Sequence, residues 1–343
     1  MRLRRPLHLL LFSLLLLTAL PVRPALAAGV LDKARARGHL MCGVTNGPAG
    51  FSIADARGNW TGISADFCRA LAAAVLGRGD AVEFRVVPAS EAYSALRSGQ
   101  VDVLSNHMAM TASRDTMLGI RIPAVLVYDG LGFLVRKSQG VSSALELSGA
   151  RICVITETAD EQGVTEYFAT LKLPVELVKF DKWSDVVGAY ANKSCQVLTA
   201  DISTLALVQQ GLPEPSDHII LPELAAKALV GPAVAAGDAE WQSVVRWAVF
   251  ALVAAEELGI TQANADGLKT SGGPEAKRFL ASGLDFADRP GLSQGWTLRM
   301  VKQVGNYGEL FERTLGAKSA LKLARRLNSL AGNGGLLYAP PFR

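Results

Sequence analysis

The feature that most constrains this chain is a rhythm that occurs twice: short apolar runs alternate with amphipathic stretches, each round spanning about a hundred residues. Leu40–Val44 reads as a strand. A helix capped by Ser64 follows, with Phe67, Leu71 and Val75 spaced four apart on one face. Val82–Val87 is a second strand, Ser90–Arg97 a helix closed by Gly99, and Val101–Leu104 a third strand. The second round has strands at Arg151–Ile155, Val175–Phe180 and Cys195–Thr199, with helices at Asp160–Leu171 and Trp183–Ala191. A helix over Ile202–Gln210 and a strand over Asp217–Leu221 complete it. The order β-α-β-α-β implies a parallel sheet with right-handed crossovers, so the expectation is α/β, with two Rossmann-like lobes. The β-rich stretch Ala124–Lys137, with Gly130 and Gly132, suits a crossing between the lobes, and Leu229–Ala235 a return crossing; together they make a two-strand hinge. The apolar helix Glu240–Leu258 would pack back on the first lobe, followed by a helical C-terminal extension with Gly-rich breaks. The expected boundaries are therefore 28–127 plus 229–260 for lobe 1, 128–228 for lobe 2, and 261–343 for an extension packing on lobe 1.

Residues 1–27 read as an address rather than as part of the fold. Met1–Arg5 is basic, Leu9–Leu20 is a nearly unbroken apolar run, and Ala25-Leu26-Ala27 is a small-x-small cleavage site, the three parts of a secretory signal peptide. The run is short for a membrane span, which needs about 20 residues; an uncleaved anchor is the alternative. The leader also distorts the formal net charge of +4. It holds four of the 35 basic side chains and no acid, leaving 31 against 31 acidic ones. A neutral body has no basic excess for phosphates, so nucleic acid is set aside as a partner. Export to an oxidising compartment lets the four cysteines form two disulfides by any of three connectivities. One staple per half gives Cys42–Cys68 and Cys153–Cys195. Metal ligation has no C-x-x-C pair to support it.

Sheets of this kind bind ligands beyond the carboxyl ends of their strands, which directs attention to the loops after Val44, Leu104, Ile155 and Thr199. After Leu104 comes Ser105-Asn106-His107-Met108-Ala109-Met110-Thr111, then Arg114. A guanidinium is a rigid fork of donors that fits a carboxylate two-on-two, unless Arg114 simply pairs with Asp115 or another acid on the surface. After Ile155 comes Thr156-Glu157-Thr158-Ala159 at a helix start, where Asp160 and Glu161 suit the helix dipole and Glu157 precedes the helix. After Thr199 comes Asp201, placed either to pair with a ligand ammonium or to cap the helix Ile202–Gln210.

These residues resemble the periplasmic amino-acid-binding proteins of ABC transporters (solute-binding protein family 3), in particular the long general L-amino-acid-binding subgroup. The resemblance covers essentially all of the chain beyond the leader. It is carried by Leu31–Gly38, Gly58–Ala70, Ser98–Ser105, Arg114-Asp115-Thr116, Tyr128–Lys137, Glu256–Thr261, Val301–Glu309 and Gly335–Pro341, in order and at the family's spacing. It implies a type II periplasmic binding protein that closes on an amino-acid-like ligand and delivers it to the transmembrane permease subunits of the transporter. It also implies no catalysis. The cleaved leader makes a soluble periplasmic protein the expectation, a monomer is the default because a hinge that closes on a ligand must stay free, and no cofactor or metal is expected. The family's arginine for the α-carboxylate falls at Arg114 and its aspartate for the α-ammonium at Asp201. The cysteine positions match as well.

The departures lie in the pocket. Where the family's first-lobe loop is rich in hydroxyls and amides, this chain has Asn106, His107, Met108, Ala109 and Met110, with Thr111 agreeing. Where the second-lobe loop usually offers glycine followed by serine or threonine, it has Glu157, Thr158 and Ala159. A hydroxyl lost at Ala159 costs roughly 1–3 kcal/mol of carboxylate binding. The scaffold is thus expected to be kept while specificity has moved. His107 is either a ligand contact or a hydrogen-bonded residue at the cleft edge, and Met108 and Met110 are either an adaptable apolar wall or core. Two other functions use the same scaffold: a dehydratase-like enzyme with Glu157 and His107 as acid and base, and a receptor presenting its ligand to a sensor protein.

Overall fold

The computed structural model describes residues 28–343; the signal peptide expected over residues 1–27 lies outside them. The first sheet has the order Val82–Val86, Leu40–Val44, Val103–Leu104, all parallel. All five residues of Leu40–Val44 are buried, as a central strand covered on both faces must be. The helix Ile63–Leu76 lies against it, with Phe67, Leu71 and Val75 buried on the expected face. Its cap is not Ser64 but Gly62, which makes no side-chain capping bond. The backbone there is left-handed (φ 115°), and a Cβ would stand 2.2 Å from the Phe51 carbonyl oxygen. The next helix is split into a 3-10 turn, Ala89–Glu91, and a short α-helix, Ala92–Arg97.

The second sheet runs His218–Ile220, Val127–Arg136, Val197–Asp201, Arg151–Ile155, Glu176–Phe180. Its last three strands are parallel, but Val127–Arg136 runs antiparallel to Val197–Asp201, so the sheet is mixed. The expected strand Cys195–Thr199 starts two residues later, because the N–H groups of Ser194 and Cys195 turn back to Ala189 at the preceding helix end. Asp201 is consequently the last residue of a strand, not a residue beyond one. Helix Trp183–Ala191 has the expected bounds.

The ten-residue strand Val127–Arg136 is the outward crossing. Its first half pairs antiparallel with Ala226–Val230, from Val127↔Val230 to Leu131↔Ala226. Two of its glycines permit this packing: a Cβ on Gly130 would lie 2.4 Å from the Ala226 carbonyl oxygen, and one on Gly132 would lie 2.2 Å from Ile202 Cδ1. The return segment then bridges to the first sheet, Ala233 to Leu104 and Val230 to Ala109, and Val234–Ala235 pairs with Ile120–Arg121.

Helix Ala239–Glu257 closes on the first sheet, its Trp241 indole donating to the Asp102 carbonyl at 2.8 Å. The C-terminal segment contributes helices Ala265–Ser271, Pro274–Ala281, Trp296–Val304 and Tyr307–Thr314. Trp296, Met300 and Val301 share one core with Phe67, Leu71 and Trp241. A hairpin, Leu284–Phe286 with Arg289–Leu292, is an element the periodicity does not announce. Two disulfides, Cys42–Cys68 and Cys153–Cys195, staple one strand of each sheet to a neighbouring segment. No helix among the described residues is long and apolar enough to cross a membrane.

The last part of the chain grips the outward crossing. The Asn328 amide accepts from the Tyr128 N–H and donates to the Tyr128 carbonyl, both at 2.8 Å. The Tyr307 hydroxyl donates to the Leu126 carbonyl at 2.8 Å, and Arg326 reaches the Leu221 carbonyl at 3.0 Å. A cavity of about 560 Å³ lies under this strap, walled by Tyr128, Asp129, Ile202, Leu224, Arg326 and Asn328 among others.

Candidate functional site

The loop after Val103–Leu104 is fixed by the return crossing. Met110 N–H donates to the Leu229 carbonyl at 2.7 Å, and Gly231 N–H donates to the Met108 carbonyl at 3.2 Å. Met108 is thereby turned into the core with Val87, Leu96 and Ile122, whereas Met110 is exposed. Asn106 carries a buried amide oxygen with no hydrogen-bond partner among the described residues. His107 is left-handed (φ 59°), its ring set edge-on to Phe51 with centroids 4.1 Å apart.

Thr111 caps the short helix Ala112–Met117, accepting from the Arg114 N–H at 3.3 Å. Arg114 is half-buried, with Nη1 donating to the Ala109 carbonyl at 2.6 Å and Nε to the Tyr93 hydroxyl at 3.1 Å. It forms no ion pair among the described residues; Asp115 pairs with Arg121. A planar guanidinium held by two neutral acceptors keeps its positive charge available.

On the second sheet, Thr158 caps helix Ala159–Leu171. Its hydroxyl accepts from the Glu161 N–H at 3.3 Å and donates to the Ile155 carbonyl at 2.8 Å. Ala159 and Glu157 are both exposed, and Glu157 is left-handed (φ 57°) with its N–H on Glu161 Oε2 at 2.7 Å. Asp160 is half-buried, and desolvation raises its carboxyl above the ordinary value.

Asp201 ends its strand opposite Leu131 and precedes helix Ile202–Gly211 without capping it. Its carboxylate accepts no hydrogen bond and forms no ion pair among the described residues. Burial first, then the neighbouring Asp129 and Asp160, pushes it up to about 6, while His107 pulls the other way. His107, Asp129 and Asp201 bring one ring nitrogen and two carboxylate oxygens within 4.8 Å of one another. The cluster joins the loop of the first sheet, the crossing strand and the strand end of the second sheet. His107 faces Asp129, not Glu157, so the acid–base pair a dehydratase-like reading requires is not assembled by hydrogen bonding. Spacing does not single out Asp129, which in sequence is one polar residue before a glycine in an apolar run.

Two α/β sheets joined by a pair of antiparallel crossing strands, with polar loops at the strand ends, define the type II periplasmic binding protein fold. The sequence profile of the bacterial extracellular solute-binding proteins, family 3, matches residues 40–264, and the chain belongs to that family. It is 46% identical over 321 residues to the general L-amino acid-binding periplasmic protein AapJ of Rhizobium johnstonii, covering 93% of this chain and 94% of that one. It is 42% identical over 323 residues to the glutamate/glutamine/aspartate/asparagine-binding protein BztA of Rhodobacter capsulatus, covering 94% and 96%. Among solved structures, a periplasmic binding protein of an ABC transporter from Brucella ovis with glutathione bound superposes with a TM-score of 0.78 at 43% identity. That match covers 92% of this chain and all of the other.

Proposed function

We propose that this protein binds a polar L-amino acid or a related zwitterion between its two lobes and delivers it to the transmembrane permease subunits of an ABC transporter. One observation carries the reading: a guanidinium without an anionic partner, Arg114, stands on the loops of one sheet, and a carboxylate without a donor, Asp201, ends a strand of the other. A zwitterion supplies what each lacks, Arg114 taking its carboxylate and Asp201 its ammonium. A ligand that touches both lobes stabilises the closed arrangement by its differential affinity for it, and closure is what a permease can read. Asn106, His107, Ala109, Thr111, Glu157, Thr158 and Ala159 are assigned to the pocket wall. The lobes are bounded at 28–127 with 229–260 and at 128–228, with 261–343 as the extension. The mature protein is assigned to the periplasm, as a soluble monomer released from its signal peptide.

The names of the relatives support an amino-acid ligand, and the glutathione in the Brucella ovis structure extends the class to a γ-linked peptide bearing the same α-amino and α-carboxylate groups. The test is calorimetry with the twenty L-amino acids, their amides and N-acetyl derivatives, and glutathione. At least one free amino acid or glutathione should bind with a single site. Arg114→Ala should weaken that ligand roughly 100-fold, the worth of a bidentate charge-assisted pair. No binding by any member, or an unchanged affinity in Arg114→Ala, overturns the reading.

A further inference from the structure

The crossing strand delivers a second carboxylate to the place where Asp201 stands. The Asp129 side chain is 2% exposed, yet among the described residues the one basic side chain it pairs with is His107, charged only when protonated. Its Oδ1 accepts the N–H groups of Gly130 at 2.9 Å and Ser203 at 3.3 Å, and its Oδ2 accepts the Ser203 hydroxyl at 2.5 Å. On the other side His107 Nε2 stands 3.4 Å from Oδ2. Asp129 is therefore joined to both lobes at once: through His107 to the loop of the first sheet, and through Ser203 to the helix that begins directly after Asp201.

His107 needs such a partner. A non-glycine residue in the left-handed region persists only where its surroundings over-determine it. Here the Phe51 ring holds one side of the imidazole and Asp129 the other. Asp201 feels the same neighbour as an unfavourable charge, together with Asp160 at the helix start of the second sheet and against the opposing influence of His107. A desolvated pair of carboxylates with one imidazole has a deficit of positive charge. Asp129 is already committed to three donors, so the group that makes up the deficit is a compact one that approaches Asp201 and the free edge of His107.

We propose that Asp129 is a positioning residue of the solute site, holding the His107 ring at the cleft and adding the negative charge that makes the Asp201 end a socket for a primary ammonium group. The inference rests on the zwitterion reading for the identity of the ligand, but its own test needs no ligand.

The experiment is NMR on the full mature chain. In the unmodified protein, ¹⁵N shifts of His107 should show the Nε2–H tautomer when the ring is neutral, with that proton directed at Asp129. In Asp129→Asn, which keeps an acceptor for Gly130 and Ser203, the carboxyl titration of Asp201 should move down as its like-charged neighbour disappears. An Nδ1–H tautomer in the unmodified protein overturns the positioning role. An unmoved Asp201 titration in Asp129→Asn overturns the charge role. Should the variant fail to fold, the tautomer measurement still decides. A ligand arm uses L-glutamine and glutathione: the stronger of the two should lose affinity at least tenfold in Asp129→Asn at pH 7.5, with its acid-side loss displaced to lower pH. Absence of binding by the unmodified protein counts against the zwitterion reading alone, because the NMR results stand without it.

Discussion

Replacing Asp201 by Asn should make the ligand-free protein more stable while destroying its affinity for amines. Asp201 titrates at about 6 instead of 3.8, for want of a partner in a desolvated place beside Asp129. A raised acid pKa means that the native state prefers the protonated form. Its contribution to stability is full below 3.8 and is lost as pH rises through 6. At pH 7.5 the ionised native state therefore carries a cost of about 3 kcal/mol, most of which is gone at pH 4. Asn has the shape of the protonated acid and never ionises, so Asp201→Asn should gain stability approaching that figure at pH 7.5 and almost none at pH 4. Urea unfolding at the two pH values, with equal m-values as a check on the transition, measures the difference. An equal gain at both pH values would trace the effect to packing, and a loss at pH 7.5 would refute the claim that the carboxylate is without a partner.

The same argument sets the ligand's pH dependence: an ammonium stabilises the ionised form, so affinity for the amine-bearing ligand should drop about tenfold between pH 7 and pH 5, a slope that calorimetry reads. Ala159→Ser restores a hydroxyl at the first helical position of the second-lobe loop, and affinity for a carboxylate-bearing ligand should rise roughly fivefold, with the amide derivative of that ligand as control. Removing the 42-residue loop closure by Cys153→Ser with Cys195→Ser should cost about 3–4 kcal/mol of unfolding free energy, and reductant should reproduce the loss in the unmodified protein. Asn328→Ala leaves both backbone groups of Tyr128 without their amide partner, and should cost about 1–3 kcal/mol in urea unfolding.

What could be read in advance, and what could not, divides along a physical line. Leu40–Val44 and Arg151–Ile155 are legible because a strand buried on both faces must be a short apolar run, and Trp183–Ala191 because one helical face must be. The hairpin Leu284–Phe286 with Arg289–Leu292 escapes, since Arg289-Pro290-Gly291-Leu292 carries no alternation and only two residues of it are buried. Arg114 and Asp201 are legible as charges after strand ends, but whether each is engaged is decided by its neighbours. Asp115 is taken by Arg121, and the helix after Asp201 goes uncapped, and no spacing rule contains either fact.

Asp129 lies furthest from what a sequence can disclose, and the reason bears on how such a site is built. Its three donors come from Gly130, its own neighbour, and from Ser203, 74 residues away, while its imidazole partner lies 22 residues earlier. No local pattern can distinguish a buried aspartate with that support from a polar residue beginning a turn. The position in the fold does so, because the crossing strand is an element that belongs to both lobes. A charge placed there acts on a side chain from each: it holds His107 and raises the proton affinity of Asp201. A cationic group that neutralises the pair stands beside His107 of the first-sheet loop as well, and the free energy it recovers offsets the cost that the ionised Asp201 carries. The cost of ionising Asp201 should then be read twice, once as a pH-dependent stability of the protein and once as the pH dependence of its affinity for an amine.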